Sequence, residues 1–149
     1  MHFIIHKENN RRNERWKRVF FCKIANGEIP AATLYEDEDF RVILDLGPAS
    51  KGHSLIIPKS HVANIYEIPD ELAAKAMLLA KKMAGKLTDA LDCDGFNIVQ
   101  NNGEAAGQTV FHFHMHLIPR YKDDHAGVTW TPGTLTDEVK EEILAKIRG

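Results

Sequence analysis

Between Pro69 and Gly95, the residues Leu72, Ala76, Leu79, Met83, Leu87 and Leu91 recur at steps of four and three. Only a helix of about 3.6 residues per turn lines such positions up on one side, so the segment predicts one amphipathic helix of about six turns. A helix apolar along one side must lay that side against another element, here core or a subunit interface. The flanking sequence supplies short β-rich runs bounded by Gly, Pro and Asp: Thr33–Tyr35, Phe40–Asp45, Ser54–Ile57, Phe96–Gln100 and Phe111–Ile118. A short helix is expected at Phe20–Asn26, stopped by Gly27 and Pro30, and another from about Thr136, beyond Trp130-Thr131-Pro132-Gly133. The fold class this predicts is α+β: a five-stranded antiparallel sheet with one long and one or two short helices.

Composition narrows the function classes. The chain has 149 residues, 44 % hydrophobic, enough for one buried core. Nineteen basic and twenty-one acidic residues leave a net charge of −2, so no overall field recruits nucleic acid. No apolar run approaches the roughly 20 residues that span a bilayer, and Phe3-Ile4-Ile5 is too short for a signal-peptide core, so no membrane is expected. Two cysteines, Cys22 and Cys93, are too few for a disulfide framework; each is expected to be a small buried apolar residue in a reducing, cytoplasmic compartment. Residues 1–18 carry six basic side chains against Glu8 and Glu14. Such a segment reads as a poorly ordered basic extension, with a nucleic-acid arm as the alternative. The expected division is the extension at 1–18, a catalytic domain at 19–123, and a C-terminal segment and helix at 124–149.

The chemistry concentrates in His112-Phe113-His114-Met115-His116-Leu117-Ile118. Alternation on a strand sends the three imidazoles to one face and Phe113, Met115 and Leu117 to the other. A solvated face or hydrogen-bonded core histidines would suffice for one such residue; three titratable rings in series need a purpose. As metal ligands they serve one ion poorly, because the first and third Cα atoms of such a run lie about 13 to 14 Å apart. A further ligand would have to come from His53, His61, Asp45 or Cys22. In the covalent alternative a neutral central imidazole attacks an electrophile while its neighbours position it and donate to the developing charge. The small-residue loop Gly103–Thr109 precedes the histidines and is read either as an ordinary connection or as a phosphate cradle.

This run resembles the signature of the histidine triad (HIT) family of nucleotide hydrolases and transferases, in its small phosphoramidase-like branch. The resemblance extends through Phe21-Cys-Lys-Ile-Ala-Asn-Gly-Glu-Ile-Pro30, Gly52-His-Ser-Leu-Ile-Ile-Pro-Lys59 and Gly107-Gln-Thr109, over about two-thirds of the chain. It implies that His114 attacks the α-phosphorus of a nucleoside phosphoramidate, forming a nucleotidyl-histidine that water hydrolyses. It further implies that His116 contacts the phosphate and that His116, or Gln108 with Thr109, helps protonate the leaving amine. His112 would hold the geometry around the nucleophile, with His53 in the same network. By the same resemblance Asp45 accepts the ribose hydroxyls, Asn101 and the Gly107 backbone lie near the phosphate, and Phe21, Ile24, Ile29, Ile43 and Leu46 wall the purine pocket. The implied partners are a purine nucleotide such as an AMP or GMP derivative and a second copy, the two sheets pairing into ten strands.

Two features depart from the family pattern. Val19 stands where many bacterial relatives carry the first cysteine of a Cys-x-x-Cys pair, half of a structural zinc site, so neither metal nor cofactor is expected. The extension before Val19 has no counterpart. The expected activity is purine nucleotide hydrolysis, with three alternatives: an AMP-type binding module with little turnover, a dinucleoside polyphosphate hydrolase, and a metal-dependent hydrolase. Trp130-Thr-Pro-Gly133 resembles the family segment that reaches toward a partner's active site.

Overall fold

The computed structural model describes Arg15, Lys17 and residues 19–149. The expectation of a disordered extension therefore falls outside the described residues, except that Arg15 and Lys17 already have helical backbone. The first helix, α1, takes in described residues 19–25 and closes where Asn26 and Gly27 return hydrogen bonds to Cys22 and Ile24. Strands β1 (Thr33–Glu36), β2 (Phe40–Leu44) and β3 (Ser54–Pro58) follow, then α2 (Asp70–Leu91), β4 (Gly95–Val99), β5 (Met115–Arg120) and α3 (Asp137–Arg148). The strands form one sheet in the order β1-β2-β3-β5-β4, every neighbouring pair antiparallel.

Strand alternation gives this sheet two unlike faces. Phe40, Val42, Ile56, Met115 and Leu117 point to one side, where Ala76, Leu79, Ala80, Met83 and Leu87 of α2 cover them. The leucine and methionine line read from the sequence is thus core. Asp70 and Glu71 sit in the first turn of α2, where carboxylates complement the helix dipole, and the left-handed Asp92 ends it. Ile43, Leu55 and Ile57 point to the other side and bury Ile24 and Ala25 of α1. Arg41 joins this face to α1 by donating to the Ile24 carbonyl at 2.6 Å. His116 pairs with Leu55, so its ring shares the α1 face.

Two local features position the site. Gly52 turns the chain from β2 into β3 at φ +88°, and a Cβ there would stand 2.3 Å from Leu91 Cδ1, so only glycine lets this turn close against the end of α2. The histidine strand is shorter than expected: β5 begins at Met115, not Phe111. The Phe113 amide donates to Val62 O, in the loop after β3, at 2.7 Å rather than to a strand, so His112 and His114 precede the ladder and only His116 lies within it. Alternation alone could not register that loss of pairing.

The tail differs in kind. Thr136 caps α3 through its hydroxyl, yet none of the helix is buried, and Val139, Ile143 and Ile147 are exposed. No described helix is long and apolar enough to cross a membrane.

Candidate active site

The geometry of the triad follows from which groups can only donate and which can only accept. A carbonyl oxygen only accepts, so His114 Nδ1, 2.8 Å from His112 O, carries the proton and leaves Nε2 as a lone pair. By the same logic His112 Nε2 donates to Pro58 O at 2.9 Å, and its Nδ1 is the bare nitrogen. An amide N–H only donates, so His53 Nδ1, 2.9 Å from Ala49 N, is bare and the neutral ring holds its proton on Nε2. That nitrogen lies 2.9 Å from His116 Nδ1 and 3.6 Å from Asp45 Oδ2. Backbone groups at Ala49, Pro58 and His112 therefore set the ring tautomers. None of them is visible as a side-chain motif.

Burial sets the charge states. His112 is fully buried and His114 and His53 nearly so. Loss of hydration lowers all four pKa values, taking His112 and His116 from 6.5 to about 4, with neighbouring imidazoles adding to the depression. At neutral pH the rings are uncharged, as a histidine nucleophile requires. The His114 and His116 rings stand 4.9 Å apart, and the Phe21 ring lies 5.3 Å from His114.

A cavity of about 330 Å³ opens between α1 and the sheet. Ile24, Ile43 and Leu46, three of the five expected purine-pocket residues, line it together with Phe20, Ala31 and Leu44. Leu46 is 95 % exposed, so nothing in the folded chain uses its side chain for packing. Phe21 and Ile29 are not among the lining: Phe21 lies over His114, and Ile29 packs against the α1 core cluster. Asp45 sits beside His53, with its other oxygen accepting from Gly47 N at 2.8 Å.

The loop before the triad needs one correction. Gln108 was expected to help protonate a leaving group, but its amide is 97 % buried and fully engaged. Its Oε1 accepts from Gly103 N, and its Nε2 donates to Ala63 O and Val110 O. Gln108 braces the loop. Gly103 and Gly107, both at φ +85°, bound the single helical turn Glu104–Ala106, and Gly107 and Thr109 are exposed. Asn101 lies beside Gly107, its side-chain nitrogen 3.8 Å from where a Cβ would be.

Cys22 is not the buried apolar residue expected. It is half-buried, with Sγ 3.3 Å from His112 Nδ1 and 3.6 Å from His61 Nδ1, and the two ring nitrogens lie 3.2 Å apart. Zinc bound at about 2.0–2.1 Å to nitrogen and 2.3 Å to sulfur needs donors at about this spacing. The Pro58 carbonyl also aims the bare His112 nitrogen into the group, as an outer-shell partner of a metal ligand does. Cys22, His61 and His112 therefore fit such an ion although Val19 offers no ligand; the expectation of no metal rested on the missing cysteine and on the spread of the histidine run, and His61 and Cys22, named there as possible further ligands, meet His112 only in the fold. An ion held there would tie α1 and the loop after β3 to the triad. The second donor group, Asp45, His53 and His116, is linked internally by the His53 proton.

An antiparallel five-stranded sheet, a long covering helix and a tautomer-set histidine triad make up the frame of the site. Residues 26–123 match the HIT domain, and the chain belongs to the HIT family. It is 48 % identical over 132 residues to Protein hit of Bacillus subtilis (strain 168), covering 88 % of this chain and 90 % of that one. It is 43 % identical over 136 residues to the adenosine 5'-monophosphoramidase HNT1 of Saccharomyces cerevisiae, covering 87 % and 82 %. The crystal structure of a HIT family member from Bacillus subtilis superposes with a TM-score of 0.79 at 44 % identity, covering 86 % of this chain and 93 % of that one.

Proposed function

We propose that this chain is a purine nucleotide hydrolase that cleaves nucleoside phosphoramidates through a covalent nucleotidyl-histidine at His114. One observation carries the reading: His114 is held by its own neighbour's carbonyl with Nε2 unprotonated, while burial keeps the ring neutral. Nε2 attacks the α-phosphorus, the P–N bond breaks with its electron pair going to nitrogen, and the nitrogen takes up a proton by way of His116, as the family resemblance implies, and leaves as the amine. Water then bonds to phosphorus and returns a proton to His116, the His114–phosphorus bond breaks, and nucleoside monophosphate departs. The purine lies in the cavity walled by Ile24, Ile43 and Leu46, with Asp45 on the ribose hydroxyls and Asn101, Gly107 and Thr109 toward the phosphate. In this scheme the reacting groups are all protein side chains, and an ion at Cys22, His61 and His112 would have a structural part. The relative named adenosine 5'-monophosphoramidase supports the substrate class.

Residues 19–123 form the catalytic unit on this reading and 124–149 an appended segment and helix. Two copies pair their sheets at β4, which lies at the end of the sheet with Ile98 exposed. A cytoplasmic location accords with two cysteines that form no disulfide. Turnover of adenosine 5'-phosphoramidate in excess chelator tests the activity. Loss of substrate with release of AMP is expected. Tight AMP binding without turnover would mark a binding module, and activity abolished by chelator and restored by metal would mark a metal-dependent hydrolase.

A further inference from the structure

Four side-chain amides belong to the segment that leads into the triad: Gln100, Asn101, Asn102 and Gln108. Three of them are spent inside the protein. The Ile65 N–H can only donate, so it fixes Asn102 Oδ1 as its acceptor at 2.7 Å and turns Asn102 Nδ2 toward Gln100 Oε1, to which it donates. The Asn101 carbonyl can only accept, so it takes Gln100 Nε2 at 3.3 Å, and the same Nε2 donates to Asn102 Oδ1 at 3.0 Å. Gln100 and Asn102 thus clasp each other across Asn101, with both orientations set by backbone groups. Gln108 is engaged at both ends, with Gly103, Ala63 and Val110. Asn101 alone is half-buried with a side-chain amide that bonds to no described residue, and that amide lies beside Gly107.

We propose that Gln100 and Asn102 are positioning residues: their clasp, pinned to Ile65, holds Asn101 so that its unspent side-chain amide donates to the phosphate of a bound nucleotide. Strand β4 ends at Val99, so the ladder no longer fixes the backbone of residues 100–102. The grip of Gln100 on the Asn101 carbonyl takes over that task. Its anchor is shared with the triad. In the loop after β3, Val62 O accepts from Phe113 N–H, Ala63 O accepts from Gln108, and Ile65 N–H donates to Asn102. Residues 62–65 therefore keep the histidines and the Asn101 side of the site in one register. A donor held in place before the ligand arrives loses little freedom on binding and needs no reorganisation to meet an anion. The assignment to phosphate rests on the nucleotide reading of the site; it does not depend on a covalent bond at His114.

The test is calorimetric binding of AMP and of adenosine, which lacks the phosphate. Asn101→Ala is expected to lose about tenfold in AMP affinity, the size of one hydrogen bond to a charged group, with adenosine unchanged. Gln100→Met keeps the bulk of the side chain and removes its grip on the Asn101 carbonyl. It is expected to weaken AMP roughly threefold or more, to leave adenosine unchanged, and to have no further effect on AMP in the Asn101→Ala background, because coupled residues are not additive. Asn102→Ala should follow the same pattern; if it fails to fold, Gln100→Met, which leaves the Ile65 bond in place, still decides. A Gln100→Met loss that is the same with and without Asn101, or the same for AMP and adenosine, would mark a merely structural part and overturn the proposal. Unchanged AMP affinity in a folded Gln100→Met protein overturns it as well. Failure to trap a nucleotidyl adduct would leave these affinities unaffected, and an adduct at His114 with AMP affinity indifferent to Gln100 would leave the covalent reading standing, so the two readings fail separately.

Discussion

Lowering the pH from 7.5 to 5 should destabilise this protein in a window that belongs to histidine. His112 has no exposed surface, and burial takes its pKa from 6.5 to about 4. The unfolded chain then binds a proton between those values that the folded chain refuses, so stability is full above about 6.5 and is lost as pH falls toward about 4. The span corresponds to about 3 kcal/mol for His112 alone, of which about 2 kcal/mol is gone by pH 5. His116, His114 and His53 act in the same direction. The carboxylates held below their ordinary range, Asp124 by Arg120 and Glu36 by Lys59, lose their contribution at lower pH and do not obscure the window. Urea unfolding of chelator-treated protein at fixed concentration, repeated at half-unit steps of pH, reads the slope. His112→Gln should flatten it by about 2 kcal/mol over the same range. A wild-type stability that is constant between pH 7.5 and 5 would refute the burial of neutral imidazoles.

Leu46→Ala should leave urea stability within about 0.5 kcal/mol, because that side chain is 95 % exposed, while weakening AMP binding measured by calorimetry. Gln108→Ala strands the Gly103 amide and the Ala63 and Val110 carbonyls; it should lower stability by about 2 kcal/mol and raise KM more than it lowers kcat. Gly52→Ala places a methyl 2.3 Å from Leu91 Cδ1 at a positive φ, and should cost at least about 2 kcal/mol in the same urea assay.

The parts of the fold that depend on periodicity were legible in the sequence. The line from Leu72 to Leu91 located α2 within two residues at its start, because a one-sided apolar pattern and the punctuation at Pro69 are properties of the segment itself. The five short runs became the five strands of one sheet. The histidine run was misjudged for a reason of the same kind: its period of two describes side-chain direction, whereas strand pairing depends on where Phe113 finds its acceptor, and that is Val62. At the site, two residues have surroundings other than the sequence reading expected. Gln108 took its part from the family resemblance, but its partners Gly103, Ala63 and Val110 decide what its amide can do. Cys22 lies 39 positions from His61 and 90 from His112, a separation no local motif spans. The Ala49, Pro58 and His112 backbone groups that set the tautomers carry no residue-type signal at all.

Bond formation between His114 and phosphorus is visible by intact-mass spectrometry of protein mixed with adenosine 5'-phosphoramidate and quenched within the first turnover, using a His116 variant to slow breakdown of the intermediate. The expected spectrum shows one adenylyl group added per chain, mapped by peptide sequencing to His114 and absent from His114→Ala, which still binds AMP. A folded His114→Ala protein that turns over near the wild-type rate, or an adduct mapped to another residue, would contradict His114 as the nucleophile.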